Sequence, residues 1–298
     1  GVDQLEMGAG GCPGKDHFDP EVLLKDESKI DDIKRILAEN NMSIAAISAH
    51  GNPVHPDKKI AKQYHDEFNA AVLLAEKLGV DTMIGFSGCP GDSEGSIRPN
   101  WVTCAWPTDY LDTLKWQWEE VLIPYWKEEV KFLKEHGIKK LAFEMHPGFC
   151  VYNPITVLKL RDEVGDIIGA NIDPSHLIWQ GMDPVAVVKE LGAHNAIYHF
   201  HAKDTRVDNA NTAVNGVLDT RSYADVLNRS WVFRTVGYGH GKEFWNDIIS
   251  TLKAVGYDGV ISIEHEDSLM SPKEGLEKAV KFLREVIIYE NAGEMWWI

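Results

Sequence analysis

Positive charge is scarce in this chain. Its 298 residues carry 30 Lys plus Arg against 46 Asp plus Glu, a net charge of −16. A protein that tracks a nucleic-acid backbone needs a basic groove, and one that docks on anionic lipid needs a basic patch. Neither partner is expected. No apolar run approaches the ~20 residues that span a bilayer, and residues 1–11 show neither a basic stretch nor a long apolar core. A membrane segment and a secretory leader are therefore not expected. Only four cysteines occur, Cys12, Cys89, Cys104 and Cys150, with no CxxC pair. That is too sparse for a disulfide framework and reads as reduced thiols in a cytoplasmic enzyme. No GxGxxG follows a strand and no Walker loop is present, which argues against a nucleotide site.

What is present is a globular composition, 44% hydrophobic and 10% aromatic, and a regular alternation of two patterns. Short apolar, β-branched runs cover 2–7, 43–48, 82–86, 140–145, 169–172, 196–201 and 260–264. Continuous apolar runs of this kind mark parallel strands buried on both faces. Between them lie helical spacings over 30–40, 60–78, 109–136 (interrupted near Pro124), 154–164, 184–191, 244–255 and 272–286. Three helices open with Pro after Asn153, Asp183 or Ser271, and several end in Gly before the next strand. Both are helix boundary signals. Strict β-α alternation means an α/β fold. The reading is a TIM (β/α)8 barrel forming one domain over 1–298. The strand candidates number seven, so the first β-α unit of the barrel is expected to be missing. The segments 88–108 and 203–241 read as long loops after strand C-terminal ends, the face that builds barrel active sites. Trp101, Trp106 and Trp231 fall in or beside them, where such rings serve in sugar binding as well as in packing.

Polar residues recur where the apolar runs stop. Glu144 follows Leu-Ala-Phe, Asp173 follows Ala-Asn-Ile, His199 and His201 bracket Phe200, and Glu264 follows Val-Ile-Ser-Ile. One strand-end carboxylate serves as readily in a salt bridge or a helix cap. Four strand ends that converge on one mouth are costly to leave unpaired, and one cation satisfies them together. Three carboxylates and one imidazole form an oxygen-rich set, which favours one divalent ion: Mn²⁺ first, then Mg²⁺ or Co²⁺, with Zn²⁺ admitted. His201 lies nearer the strand end than His199 and is the expected ligand. His50 and His146 end or follow strands and are candidates to touch substrate. Lys203 is a candidate for a substrate oxygen, or for a salt bridge with Asp204 or another acid. Glu6, in the first strand, is a further candidate to reach the pocket, and Glu266 is expected behind the ligands.

The runs Phe-Glu144-Met-His-Pro-Gly-Phe, Asn-Ile-Asp173-Pro-Ser-His176, His-Phe-His201-Ala-Lys-Asp-Thr-Arg206 and Ser-Ile-Glu264-His-Glu-Asp resemble one family. It is the sugar phosphate isomerase/epimerase group of the xylose-isomerase-like TIM barrels, which includes D-tagatose and D-psicose 3-epimerases, inosose dehydratases and endonuclease IV. The resemblance implies that Glu144, Asp173, His201 and Glu264 hold the metal. It implies that His176 and Arg206 hold substrate oxygens, and it places the first strand of this chain at barrel strand two.

The implied chemistry is proton abstraction beside a carbonyl, giving an enediolate, with Glu144 and Glu264 as the two catalytic carboxylates. The expected activity is a sugar isomerase or epimerase acting on a small carbohydrate. The alternative is a lyase or dehydratase acting on a keto-sugar, a keto-inositol or an oxidised glycoside. A DNA-repair endonuclease is the remote reading. Phe86-Ser87-Gly88 stands where that family offers a ligand histidine, and the acidity opposes it. The apolar end 294–298 (Glu-Met-Trp-Trp-Ile) is expected to pack on the barrel or on a second copy in a homo-oligomer.

Overall fold

A computed structural model describes residues 2–297 of the chain. Its main sheet is built from β1 (Gln4–Gly11), β2 (Ser43–His50), β3 (Thr82–Gly85), β4 (Lys140–Glu144), β5 (Ile168–Ile172), β6 (Ile197–Ala202) and a short last strand, Ser262–Ile263. They lie side by side in chain order, and every neighbouring pair is parallel. Each crossover carries helix. The chain therefore winds as a TIM-type barrel, one β-α unit short of eightfold.

The helices sit close to where their boundary signals put them. After β1 come α1 (Pro20–Leu23) and α2 (Glu27–Glu39); α3 (Lys58–Leu78) follows β2. Gly79 ends α3 at φ 75°, a left-handed turn that a side chain would strain. The 109–136 segment is α4 (Asp109–Trp116), a π-helical stretch (Gln117–Leu122) and α5 (Ile123–Glu135), in which Pro124 occupies the tolerated first turn. Next come α6 (Pro154–Val164), α7 (Pro174–Trp179) and α8 (Pro184–Ala193). Asn153 caps α6 by accepting the Thr156 N–H at 2.9 Å, and Asp183 caps α8 by accepting the Val185 N–H at 2.9 Å.

The 203–241 segment departs from expectation. It is not a plain loop. Asp204–Val207 (β7) and Trp231–Arg234 (β8) pair antiparallel as a small second sheet, with α9 (Asn209–Asn215) between them. Then α10 (Lys242–Ala254) precedes the last barrel strand, β9 (Ser262–Ile263), and α11 (Pro272–Val286) follows it. Alternating Trp231 and Phe233 pack with Trp179 into a satellite cluster, so their burial drives the hairpin. Four-residue strands bounded by polar residues carry little periodic signal, which is why the sequence pattern missed them.

The main core lies between the barrel and its helices. Trp126 of α5 is 1% exposed, sets its ring edge-on to Phe68 and Phe143, and donates its indole N–H to the Ser87 carbonyl at 2.8 Å. Inside the barrel, Ala46, Ile84 and Ala142 fill a narrow layer. The two alanines leave room for the polar groups at the mouth. No helix among the described residues is long and apolar enough to cross a membrane.

Candidate metal centre

Side chains along a strand alternate faces, so residues two apart share one. On β6 and its extension, His199, His201 and Lys203 share the inward face. At the ends of β4 and β5, Glu144 with His146 and Asn171 with Asp173 repeat the spacing; beyond β9, Glu264 with Glu266 does so. Parallel register then sets Glu144 beside Asn171, Asn171 beside His199, and His201 beside Ser262. The result is one polar cluster at the C-terminal mouth.

Ligand-type atoms of Glu144, Asp173, His201 and Glu264 lie within 4.8 Å of one another. His201 Nδ1 is 2.9 Å from Glu264 Oε2 and 3.6 Å from Glu144 Oε2. Three of these atoms, His201 Nδ1, Asp173 Oδ2 and Glu264 Oε2, are buried without a well-formed hydrogen bond among the described residues. Three carboxylates this close together, two of them buried, call for positive charge beyond one lysine, and a three-carboxylate, one-imidazole set suits a divalent ion. The residues present fit the metal.

Asp173 is locked by its second oxygen. Its Oδ1 accepts the Ser175 N–H at 2.9 Å as the N-cap of α7, so the Asp-Pro-Ser-His run both starts the helix and aims Oδ2 inward. The same turn brings His176 Nε2 to 3.1 Å from Glu144 Oε1 and 3.2 Å from Asp173 Oδ2. His50 Nε2 is 3.0 Å from Glu144 Oε2. The His146 ring centroid lies 4.1 Å from that of His176, with the planes tilted by 57°.

Lys203 is brought fully into the cluster. Its Nζ is 3.0 Å from Asp173 Oδ2, 3.1 Å from Glu264 Oε2 and 2.9 Å from Glu266 Oε2, at 1% exposure. Asp204, the other partner considered for it, faces away. The Asp204 carboxylate instead accepts the N–H groups of Thr205, Gly237, Gly239 and His240 and the Trp245 indole N–H, and it anchors the 235–241 turn.

Burial and charge pull against each other here. Burial pushes the Asp173 carboxyl up to about 7, partly countered by Lys203. Burial would raise Glu264 as well, but Lys203 and His201 outweigh it and bring Glu264 down to about 2. His201 loses hydration, yet the Glu6 and Glu264 carboxylates hold its imidazole well above the ordinary range. Burial, with His176 beside it, pulls His146 down to about 4.

Arg206 is not brought to this cluster. On β7 it alternates outward, is exposed, and lines a cavity of about 320 Å³ at the start of α9 with Asp208, Asn209 and Arg229. Another cavity, of about 330 Å³, adjoins the metal residues through His146 and His176 and is walled by Trp101, Trp179, Tyr223 and Trp231. Trp179 and Trp231 stack at 4.5 Å and 5°. Of the tryptophans singled out in the sequence, Trp101 and Trp231 line this cavity; Trp106 is 77% exposed. Trp179 and Tyr223 carried no sequence signal, because their place depends on the hairpin packing over α7.

Known proteins share this architecture. The family model described as xylose isomerase-like TIM barrel matches residues 1–286. The chain is 39% identical over 289 residues to the uncharacterized protein YfiH of Bacillus subtilis (strain 168), covering 96% of this chain and 91% of that protein. Among solved structures it resembles a D-tagatose 3-epimerase-like protein (TM-score 0.62, 19% identity, 96% of this chain and 90% of that one). It also resembles the IOLI protein with a binding zinc atom (TM-score 0.63, 18% identity, 96% and 88%). At those identities the two structures establish the shared fold.

Proposed function

The chain belongs to the xylose-isomerase-like TIM-barrel family, and on that premise we propose that it is a divalent-metal-dependent enzyme that isomerises or epimerises a small, unphosphorylated carbohydrate. The observation that carries the proposal is the convergence of ligand-type atoms of Glu144, Asp173, His201 and Glu264 to within 4.8 Å of one another. The zinc bound by the IOLI protein and the epimerase likeness point the same way.

A divalent cation, when bound, polarises a carbonyl and its neighbouring hydroxyl and so acidifies the adjoining C–H. The protein's own groups do the rest. Glu144 and Glu264 come from strands separated by β5 and β6, so they reach a substrate from different sides. One accepts the proton and the other returns it, the requirement for inversion at a carbon. His176 and His50 beside Glu144 keep that carboxylate ionised well below its ordinary range, despite its burial. It therefore takes a proton only from a strongly acidified C–H. His146 stays neutral at neutral pH and serves as a hydrogen-bond donor or acceptor to a substrate hydroxyl. The aromatic wall suits the C–H face of a sugar. None of the described residues lining that cavity is a lysine or arginine, and Lys203 is already held by three carboxylates. These features support a substrate without a phosphate.

A dehydratase or lyase uses the same constellation, and the aromatic-walled cavity would take a bulkier glycoside. One experiment separates the readings. The Mn²⁺-loaded protein is incubated in deuterated water with free ketoses and with keto-glycosides, and the products are read by NMR. The expected result is deuterium at the reacting carbon of a rearranged ketose, lost in Glu144→Gln. An unsaturated or cleaved product would assign the lyase instead. Turnover by a preparation shown metal-free by elemental analysis would refute the mechanism.

A further inference from the structure

We infer that Glu6 is a positioning residue for the metal site, fixing the His201 ring with Nδ1 turned toward the other ligands. The inference rests on the metal reading above. Glu6 belongs to β1, at the opposite edge of the sheet from β9, and its side chain is 13% exposed. A single oxygen, Oε2, gathers three donors from across the barrel. His201 Nε2 approaches it at 2.7 Å, His199 Nε2 at 3.1 Å and Ser262 Oγ at 3.2 Å. His199 and His201 share one face of β6, so the same carboxylate oxygen reaches both rings.

The chemistry of imidazole makes this arrangement directional. A neutral ring that donates Nε2–H to a carboxylate keeps its lone pair on Nδ1. In His201 that is the atom turned to Glu264 Oε2 at 2.9 Å and left without a well-formed hydrogen bond. The ring therefore presents the correct nitrogen, and Glu6 resists its flipping. The negative charge of Glu6 also strengthens the ring as a donor to a cation. Glu6 touches none of the reacting atoms in this scheme; it acts through His201.

Glu6, His199 and His201 also satisfy the spacing of a three-residue cation site. The distances favour the clamp, because 2.7 Å and 3.1 Å are ordinary N–H···O separations and Ser262 adds a hydroxyl donor to the same oxygen.

The test uses the full chain, wild type and Glu6→Gln, with Mn²⁺ titrated by calorimetry and metal counted per chain. Wild type is expected to bind one ion, and Glu6→Gln to bind it about 10- to 100-fold more weakly with its circular dichroism unchanged. A second measurement needs no variant: ¹⁵N-histidine NMR of the Zn²⁺-loaded wild type should show His201 with Nε2 protonated and Nδ1 coordinated. Unchanged affinity in Glu6→Gln overturns the inference, as does coordination through Nε2. Two ions in wild type, one of them lost in Glu6→Gln, overturns it in favour of a second cation site. No binding by wild type would remove the metal reading itself, and the inference with it.

Discussion

Replacing Lys203 with methionine tests the electrostatic design of the cluster. The substitution keeps length and apolar packing against Phe233, whose ring lies 4.7 Å from Nζ. It removes the ammonium from three carboxylates at 2.9–3.1 Å. Each contact is worth about 5 kcal/mol of gross attraction at an effective dielectric of about 20, most of it offset by the lost hydration of the ammonium. Stripping one partner from a buried ion pair costs about 3–5 kcal/mol, because the remaining charge is stranded. Asp173, already poised at about 7, limits that loss by taking up a proton. The metal-free variant should therefore lose about 3 kcal/mol, which for 298 residues lowers Tm by about 5 °C.

Metal changes the outcome. A bound divalent ion neutralises Asp173 and Glu264 itself, so the loss should shrink to about 1 kcal/mol when the site is loaded. The difference of about 2 kcal/mol must reappear as tighter binding, about 30-fold, since ammonium and metal compete for the same oxygens. Thermal melts with chelator and across a Mn²⁺ series, together with calorimetric titration, measure both sides of this cycle. Equal destabilisation with and without metal, or weaker Mn²⁺ binding by the variant, would refute the reasoning.

Metal affinity should rise with pH between about 6 and 8, because Asp173, at about 7, and the raised His201 hold protons that the ion must displace. Calorimetry in buffers of different ionisation enthalpy should show proton release near neutrality; none would contradict it. The same raised Asp173 value means that the metal-free fold loses stability as pH climbs from about 4 through about 7, a trend that urea titrations can follow. Asp204→Asn should cost about 3 kcal/mol in urea unfolding, since an amide turns donors toward the N–H groups its carboxylate accepts. An unchanged midpoint would deny the anchoring role. Trp126→Ala should cost about 3–5 kcal/mol by the same measurement, through the cavity left beside Phe68 and Phe143. A ketose phosphate should compete for the Mn²⁺-loaded site no better than the free ketose, and markedly tighter competition would mean that a phosphate site exists.

Much of the fold was legible because the signals are local. Apolar runs, prolines after Asn153, Asp183 and Ser271, and glycines at helix ends depend on neighbours a few residues away, and the structure places these elements nearly as read. Strand-end chemistry was legible for the same reason. Glu144, Asp173 and Glu264 follow apolar runs, and a charged group there needs a partner wherever the chain takes it.

What the sequence could not supply depends on distance along the chain and on facing. Glu6 meets His201 across 195 residues, a contact set by the winding of the barrel and by no local pattern. Arg206 and Lys203 lie three residues apart, yet one turns outward and the other is buried among the ligands, because β7 leaves the barrel to pair with β8. The aromatic wall likewise forms only when the hairpin folds over α7. Sequence alone therefore marked which strand-end residues need partners. Tertiary structure decided that His201 turns Nδ1 to Glu264 and Nε2 to Glu6, that Lys203 is the lysine among these carboxylates, and what surface adjoins them. These are contacts between strands, and strand packing fixes them where local preference does not.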